Sequence, residues 1–397
     1  MNLASPAAWT AALFLSSALF AHTVSLRLAL LLLGAGLAVG MVARERRALR
    51  LAPAIWLPFA LWAAWAALSL TWSLEPGRSE KEFRNEVVYT ALAVWICFIG
   101  AQARNAGRII LPLLAAAAVL ACAVAFYHFR LGELAYGAGW HGGPGNFSST
   151  LLTLMPCVLA AGWYAGRAGW PRTVRILAPL LAVLFLAAAY TTQNRTVWIG
   201  LVLELLIFGA VFLAREPVRG SLRVKAAIAA VAIAIVAGGA LMTVRVQADR
   251  EATGARSMGN DPRLAIWPKV VAHVEQRPWT GFGFGRGLFR DSLPGEVQDG
   301  LAWHAHNLFL DVALQLGIPG VVLLLALIAA TVREGLRLAL DRNDAAAACG
   351  IALLAVVAGM MVRNMTDVLL VRQNALLYWG VVGVLLAWGA QRRTGSR

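Results

Sequence analysis

Long apolar runs, each close to the length of a membrane-spanning helix, divide most of the 397-residue chain. A helix that crosses a bilayer needs about 20 mostly apolar residues. The first run has no basic segment before it and another apolar run directly after it, so we interpret it as a span and not as a cleaved signal peptide. The sequence therefore predicts an all-α polytopic membrane protein with twelve transmembrane helices, at 6–21, 24–42, 53–70, 87–101, 109–128, 147–166, 176–192, 196–214, 226–244, 307–332, 345–362 and 374–390.

One long polar segment, 245–305, interrupts this pattern and divides the chain into three parts. Spans one to nine occupy 1–244, the long loop follows, and the last three spans occupy 306–397. A loop of this length is usually functional or disordered. Helical structure is expected within it, because Asp261 suits an N-cap and Pro262 suits the first helical turn.

The predicted loop helix continues through apolar residues at helical spacing, namely Leu264, Trp267, Val271 and Val274. Pro268 lies inside this pattern, where proline removes a backbone hydrogen bond, so we expect a kink or a break. After Pro278 comes the aromatic–glycine run Gly281-Phe282-Gly283-Phe284. This run is predicted to form a flexible turn at membrane level, either as an interfacial anchor or as one wall of a channel for lipid or sugar.

Composition indicates what covers the apolar surface of this protein. Sixty per cent of the residues are apolar and only 14% are charged, whereas an ordinary globular domain carries about 25% charged residues. So few polar side chains cannot cover such a core, and lipid must cover it instead. The partner that composition implies is therefore the lipid bilayer.

The formal net charge of +15 would indicate a nucleic-acid partner in a soluble protein, but the positions of the charges favour another explanation. Nineteen basic residues fall in loops on one side of the predicted membrane, and seven fall in the short loops on the other side. Cytoplasmic loops are enriched in arginine and lysine. We therefore predict that the first side, with both termini, is cytoplasmic, that the 245–305 loop lies outside, and that no nucleic acid is bound.

Candidate proton chemistry is confined to the outer side, where all six histidines are predicted to lie, at His22, His128, His141, His273, His304 and His306. His304 and His306 would point to opposite sides of a helix but would share a face of an extended segment. Zinc therefore stays possible, although no third ligand has convincing spacing. The four cysteines lie in apolar runs without a CxxC pair, so neither a disulfide framework nor a cysteine zinc site is expected.

Arginines in two outer positions suit phosphate recognition. Arg195 lies in a very short turn between two spans, and Arg263 lies at the start of the loop helix, where backbone amides and a guanidinium point the same way. The alternative for both is an arginine that extends its side chain to the membrane interface. Arg363 and Asp367, in the last outer turn, are expected to form an ion pair.

Other catalytic and transport patterns are absent from the sequence. It contains no G-x-S-x-G, Walker or H-E-x-x-H motif. Glu204 is the one acidic residue deep inside a predicted span, and although such an acid is a functional candidate, one alone does not make a proton relay. The sequence thus favours chemistry at the outer edge of the membrane over transport through its middle.

A family resemblance rests on the pattern H-N-x9-G-x-x-G, formed by His306-Asn307 and Gly317 to Gly320. This pattern resembles the signature of bacterial O-antigen ligases, in the superfamily that also contains O-antigen polymerases and protein O-oligosaccharyltransferases. Three further segments resemble family features, the last of them only loosely: Asn194-Arg195-Thr196, Arg263 to Trp267 followed by Gly281-Phe282-Gly283, and His141 to Asn146. The twelve-span layout agrees over essentially the whole chain.

The resemblance implies a membrane glycosyltransferase of the family C type, with its site in the periplasm and its helices in the bacterial inner membrane. The donor would be O-antigen on undecaprenyl diphosphate, and the acceptor a hydroxyl of lipid A–core oligosaccharide, in lipopolysaccharide biosynthesis. Transfer would invert the anomeric centre and would need neither metal nor cofactor. His306 would be the base, and Arg195 and Arg263 would stabilise the diphosphate.

The remaining candidates are a substrate-binding set, His304, Asn307, Arg363, Asp367, Trp267, Gly281, Gly283 and Arg286, and a structural set, Gly317, Gly320 and Asp311. Asn307 and Asp311 are candidates to orient His306, although Asp311 is poorly placed for this on a straight helix. His304 stays an alternative to His306 as the base. The alternative functions are an O-antigen polymerase, a protein O-oligosaccharyltransferase and, from another class, a transporter of lipid-linked glycans.

Overall fold

The computed structural model describes residues 4–44, 53–131, 138–215, 262–287 and 304–394, with a few isolated positions between 238 and 248. Within these residues the secondary structure is helical, and no strand occurs. The helices are α1 (Ala4–Ser17), α2 (Val24–Arg44), α3 (Pro53–Leu68), α4 (Pro76–Phe83), α5 (Tyr89–Ala101), α6 (Ala106–Arg130), α7 (Ala138–His141), α8 (Pro144–Arg167), α9 (Arg172–Thr191), α10 (Arg195–Arg215), α11 (Pro262–Gln276), α12 (Leu308–Ala339), α13 (Asp344–Asn364) and α14 (Arg372–Thr394).

Nine segments of the described chain are long and apolar enough to cross a membrane: Val24–Ala43, Ile55–Trp72, Pro76–Ala101, Ala106–Arg130, Pro144–Arg167, Arg172–Thr191, Leu308–Ala339, Asp344–Asn364 and Arg372–Gln391. They coincide with nine of the predicted spans. The predicted span 6–21 corresponds to α1, whose 14 residues are fewer than a crossing needs. The predicted span 196–214 coincides with α10, whereas 226–244 lies almost wholly outside the described residues, so the total of twelve stays a prediction.

The helix packing places α13 and α14 at the centre of the bundle. α13 packs against α8, α10, α12 and α14, while α5 packs along α14. Small residues allow this close approach, as is common between membrane helices. A Cβ atom on Gly350 of α13 would lie only 2.6 Å from the carbonyl oxygen of Gly335 in α12.

Peripheral helices present apolar side chains outward. On α9, for example, Ile176, Leu177, Leu180 and Val183 are each about half exposed or more, and their spacing places them on one face of the helix. A face of this kind suits lipid contact, in agreement with the covering by lipid that the composition predicts.

The two ends of the bundle differ in the residues they carry. At the arginine end, Arg167 of α8 and Arg215 of α10 both pair with Asp344, the first residue of α13. At the opposite end, here called the site end, α13 finishes at Asn364 and α12 begins after Asn307. The candidate catalytic residues that the structure describes lie at the site end.

A break in α12 gives the site end its shape. Gly317 has φ 67° and ψ −172°, so the helix is interrupted there, and Pro319 follows. The interruption leaves carbonyl groups without helical partners, and the segment 277–287 supplies donors: the amide of Phe282 donates to the Leu314 carbonyl (2.9 Å), and that of Gly283 donates to the Gln315 carbonyl (3.0 Å). Gly317 is needed because a Cβ atom there would lie 2.6 Å from the Pro278 carbonyl oxygen.

These contacts correct the prediction for the aromatic–glycine run. Phe282 and Phe284 are buried, with 4% and 6% of their surfaces exposed, and the run is fixed to α12 by hydrogen bonds. It is therefore not an exposed interfacial anchor, although the neighbouring Trp279 is 66% exposed. α11 is one continuous helix through Pro268, so the chain does not break into two helices there, and the alternative, a kink, stays a prediction. Asp261 lies outside the described residues.

Candidate functional site

Two histidines and one aspartate form the centre of the site end. Nε2 of His304 lies 3.5 Å from Oδ1 of Asp367, and Nδ1 of His306 lies 3.6 Å from the same oxygen. His304 is almost completely buried, whereas His306 and Asp367 keep about a fifth of their side chains exposed. We call these three residues the His–Asp cluster. The spacing along the chain did not reveal this third group, because Asp367 follows 61 residues after His306 and joins the two histidines only in the fold.

The backbone that presents His306 is unusual. Its φ of 49° lies in the left-handed region that side chains rarely adopt, and residues held there often belong to functional sites. The amide of His306 donates to Nδ1 of His304 (2.9 Å). The local conformation thus brings the two rings together, with centroids 4.0 Å apart. The segment is neither a helix nor a regular extended strand, the two conformations considered from the sequence.

Asn307 holds this segment in place and does not orient His306. Its side-chain oxygen accepts from the amides of Phe309 and Leu310, so it caps α12. Its side-chain nitrogen donates to the Met365 carbonyl (3.1 Å), which ties the start of α12 to the turn that carries Asp367. Asp367, and not Asn307, faces the His306 ring.

Asp311 holds the segment that joins the two histidines. Its carboxylate accepts from the amide of Ala305 (3.2 Å) and from the side chain of Gln315 (2.7 Å). Trp267 of α11 donates from its indole nitrogen to the carbonyl of the same Ala305 (3.0 Å). Both residues therefore fix the backbone between the two histidines.

The predicted ion pair between Arg363 and Asp367 is present, with a nitrogen–oxygen distance of 3.4 Å. Only 1% of Arg363 is exposed, and its guanidinium also donates to the hydroxyls of Ser148 (3.1 Å) and Thr366 (3.2 Å). Gly145 at the start of α8 makes room for this pair, because a Cβ atom there would lie 3.3 Å from the guanidinium. The loosely matched turn at 141–146 thus lies beside the site.

Asp367 and His304 differ in charge at neutral pH. Burial opposes ionisation of Asp367, but the hydrogen bond from His306 and the charge of Arg363 outweigh it and hold the pKa of Asp367 well below its usual range. Burial, the neighbouring His306 and the charges of Arg286 and Arg263 together lower the pKa of His304 to about 3, although the charge of Asp367 opposes them. At neutral pH Asp367 is therefore a carboxylate beside an uncharged His304.

The cluster has the dimensions of a metal site, but its hydrogen bonds do not suit one. The three ligand atoms lie within 4.8 Å of one another, and their separations of 3.5 and 3.6 Å are close to the edge of about 3.3 Å expected around tetrahedral zinc. However, Nδ1 of His304 accepts a hydrogen bond, so the neutral ring carries its proton on Nε2. Nε2 is the atom that would need a lone pair for the metal.

The remaining candidates lie around this cluster at different distances. Arg263 is close enough for its charge to affect His304 and Arg363. Arg286 donates to the Val368 carbonyl (3.4 Å), one residue after Asp367. Arg195 opens α10 after a turn of three residues, and the contact of Gly200 with Gly359 places that turn at the level of the last turn of α13.

Sequence reasoning missed several residues that shape the site. Asn364 accepts from the amides of Leu369 and Leu370 and donates to the Met360 carbonyl, so it folds the turn that carries Asp367. Ser148 lies in an apolar helix, where its hydroxyl gave no catalytic signal. The only signals at these positions were an asparagine in the last outer turn, next to Arg363, and a small polar residue at the start of the predicted span 147–166.

Comparison with known proteins agrees with this description. The fold and site define a polytopic helical membrane protein with an imidazole–carboxylate cluster and arginines at one end of its bundle. A family model described as O-antigen ligase matches residues 180–325, a region that includes Arg195, Arg263 and His306. The resemblance to the O-antigen ligase superfamily is thereby confirmed, which indicates a glycosyltransferase-like membrane enzyme with lipid-linked glycan substrates.

The match does not extend over the whole site. Arg363 and Asp367 lie after the end of the matched region, and α1 to α8 lie before its start. No curated protein matches the chain.

Proposed function

We propose that this protein is an O-antigen ligase, which transfers the glycan from undecaprenyl diphosphate to a hydroxyl of lipid A–core oligosaccharide. The observation that carries the proposal is the approach of His306 to Asp367 beside Arg363, inside a bundle whose family model is that of O-antigen ligases. The site end would face the periplasm, and the helices would lie in the bacterial inner membrane.

His306 is the proposed base. With Nδ1 directed at the Asp367 carboxylate (3.6 Å), the neutral ring holds its proton there and its lone pair on Nε2. Nε2 then takes the proton from the acceptor hydroxyl as the oxygen attacks the anomeric carbon. The imidazolium that forms is stabilised by the same carboxylate. Asp367 is thus a positioning residue, and its low pKa keeps it ionised throughout.

His304 is the less suitable base, although the sequence alone left both histidines open. Only 2% of His304 is exposed, and its low pKa of about 3 opposes uptake of a proton. Its Nδ1 is already occupied by the His306 amide. His304 is proposed to support the conformation of His306.

The leaving diphosphate is proposed to be stabilised by Arg195 and Arg263. The bond between the anomeric carbon and the phosphate oxygen breaks as the new glycosidic bond forms, so negative charge develops on the diphosphate and fixed positive charge lowers the barrier. Direct displacement on the opposite face inverts the anomeric centre. The leaving group is already activated, so no nucleotide is required.

Purified protein with three different acceptors tests this function. Undecaprenyl-diphosphate glycan is incubated, in the presence of EDTA, with lipid A–core, with further donor or with an acceptor protein, and the products are identified by mass spectrometry. Glycosylated lipid A–core is the expected product. Elongated donor would replace the ligase assignment by a polymerase, glycoprotein would indicate an oligosaccharyltransferase, and the absence of any product would favour transport.

A further inference from the structure

A partly open cavity of about 70 Å³ lies next to residues that support the His–Asp cluster, among them Asp311 and Val368. Its walls come from α3, α4, α5, the 277–287 segment, α12 and the start of α14. One wall residue, Asp311, also holds the Ala305 amide between the two histidines. Since a water molecule occupies roughly 30 Å³ in the liquid, this cavity holds about two groups the size of a hydroxyl.

Three polar side chains line one wall of the cavity at four-residue intervals: Glu82, Glu86 and Thr90. In a regular α-helix, four residues exceed one turn by about 40°, so three such positions would drift around the helix. Here a π-helical turn at Arg84–Val88 separates α4 from α5, and its wider turn compensates for the drift. Such turns occur frequently at functional sites.

Within the described part of the chain, and leaving aside Arg286, which has other partners, four buried polar atoms of the cavity residues make no hydrogen bond: Trp62 Nε1, Glu82 Oε2, Glu86 Oε1 and Thr90 Oγ1. The other carboxylate oxygen of Glu86 is held by the amide of Arg372 (2.6 Å). Buried polar atoms are otherwise almost always paired. Four such atoms that share one cavity therefore indicate a ligand that pairs with them.

Thr90 is the most informative of these residues. It is 98% buried, as its exposure of 2% shows. Buried helical threonines elsewhere in the protein donate to the carbonyl four residues earlier, as Thr153 does to Ser149 (2.8 Å) and Thr331 does to Leu327 (2.9 Å). The hydroxyl of Thr90 does not make this bond and faces the cavity instead.

The polar atoms define the chemistry of the ligand. The indole N–H of Trp62 needs an acceptor, whereas the oxygens of Glu82 and Glu86 need donors. A metal cation cannot accept from the indole. An anion is disfavoured, because the lining holds three acidic side chains, Glu82, Glu86 and Asp311, against the single arginine Arg286. A hydroxyl group accepts and donates at once, so it satisfies both. The aromatic rings of Phe59, Phe284 and Trp379, which complete the walls, suit the apolar C–H groups of a sugar.

We propose that this cavity binds the hydroxymethyl arm of a hexose belonging to one of the two glycan substrates. The proposal rests on the proposed function, because the position of the cavity beside His306 matters only if a sugar reacts there. The arm enters between Trp62 and the Glu82–Thr90 wall, while the ring stays outside, since the volume holds only two hydroxyl-sized groups. The cavity would thus select hexoses that carry a free primary hydroxyl.

Binding of two matched glycosides tests the pocket without reference to catalysis. Methyl α-D-glucopyranoside carries the hydroxymethyl arm, and methyl α-D-xylopyranoside lacks it. Affinities for the purified full-length protein are measured by ligand-observed saturation-transfer NMR. The glucoside is expected to bind at least about fivefold more tightly than the xyloside, the effect of one to two hydrogen bonds. Equal affinities, or no binding of the glucoside, would overturn the pocket.

Two variants locate the binding in this cavity. Thr90→Val removes the hydroxyl at almost constant volume, and Glu82→Gln removes a charge while the side chain keeps its size. Each is expected to weaken glucoside binding about fivefold, whereas the matched control Thr153→Val, whose hydroxyl is already bonded within α8, leaves it unchanged. If Thr90→Val and Glu82→Gln both bind the glucoside like the control, the assignment is wrong.

Steady-state transfer then identifies which substrate occupies the pocket. Thr90→Val is expected to raise the KM of either the donor or the acceptor about fivefold, with kcat unchanged, and the affected substrate supplies the arm. Normal KM values for both would overturn the proposal while the ligase function stood. Glucoside binding by a protein that forms no glycan product would have the opposite meaning, because the pocket would stand and the proposed function would fail.

Discussion

The two ends of the helix bundle use the same residue types in different surroundings. At the arginine end, Arg167 and Asp344 meet at 2.7 Å with 40% and 32% of their side chains exposed. At the site end, Arg363 and Asp367 meet at 3.4 Å, and Arg363 is almost completely buried. The shorter contact is the weaker one energetically, because water screens exposed charges. Burial, and not distance, separates the end that joins helices from the end proposed to carry chemistry.

The largest effect is expected from loss of the proposed base at the site end. His306→Ala should lower kcat by about 10² to 10⁴, the range for removal of a general base, which abolishes detectable transfer. Arg263→Ala should abolish detectable transfer as well. Both variants should remain in the membrane at normal levels. Arg167→Ala at the arginine end is the control with wild-type turnover. Activity retained by either site-end variant, in a reconstituted assay without added metal, would contradict its assigned role.

Loss of the carboxylate that faces both histidines should affect stability as well as rate. Asp367→Asn leaves the buried Arg363 without its counter-charge, and we expect a loss of about 3–5 kcal/mol in the free energy of unfolding. Asp344→Asn, the matched change at the arginine end, should lose less than about 1 kcal/mol. Thermal unfolding of the two variants in one detergent measures this difference.

The pH dependence of the Asp367→Asn effect has a defined sign. The folded pKa of Asp367 is lowered, so the carboxylate contributes its full stabilisation above the ordinary aspartate pKa of about 3.9. The contribution is lost as the pH falls through the lower folded value. The gap between wild type and variant should therefore stay constant from pH 8 to pH 5 and narrow only below about pH 4. If the stability difference between wild type and variant instead disappeared between pH 7 and pH 6, titration of a histidine, and not of Asp367, would be its cause.

Arg195 allows a test of shape as distinct from charge. Arg195→Lys keeps the positive charge but loses the planar fork that binds two phosphate oxygens at once, so kcat/KM for the donor should fall about 10- to 100-fold. Arg172→Lys, at the arginine end of α9, is the conservative control and should be neutral. Normal turnover by the Arg195 variant would mean that this residue only anchors its turn.

Helix positions were largely predictable from the sequence, because an apolar run of membrane length has few alternative structures in lipid. Arg363 and Asp367 were also predicted as a pair, since both lie in the same short outer turn, four residues apart in the sequence. The partner of His306 was not predicted, because Asp367 reaches it through tertiary packing of α12 against α13. The buried aromatic–glycine run was missed for a similar reason, as its hydrogen-bond acceptors arise only from the break at Gly317.

The helix break at Gly317 leads to a prediction with an effect of intermediate size on stability. Gly317→Ala forces a side chain into a φ of 67° and against the Pro278 carbonyl, which should lower the free energy of unfolding by about 1–3 kcal/mol. Gly166→Ala, near the arginine end of α8, meets no atom within 4 Å and should be neutral or stabilise by about 0.4–1 kcal/mol. The unfolding midpoints of the two variants are measured side by side. Equal midpoints would contradict the explanation that Gly317 is required by its backbone conformation and close contact.

The smallest effect is expected where the contact distance is shortest. Arg167→Ala removes the 2.7 Å pair with Asp344, in which 40% and 32% of the two side chains are exposed. Asp344 keeps its second partner, Arg215, at 3.4 Å. The free energy of unfolding should change by less than about 1 kcal/mol, and the change should shrink further in 1 M salt, where exposed charges are screened within about 3 Å. A loss above 2 kcal/mol that persisted in high salt would show that the arginine end is as dry as the site end, and burial would no longer distinguish them.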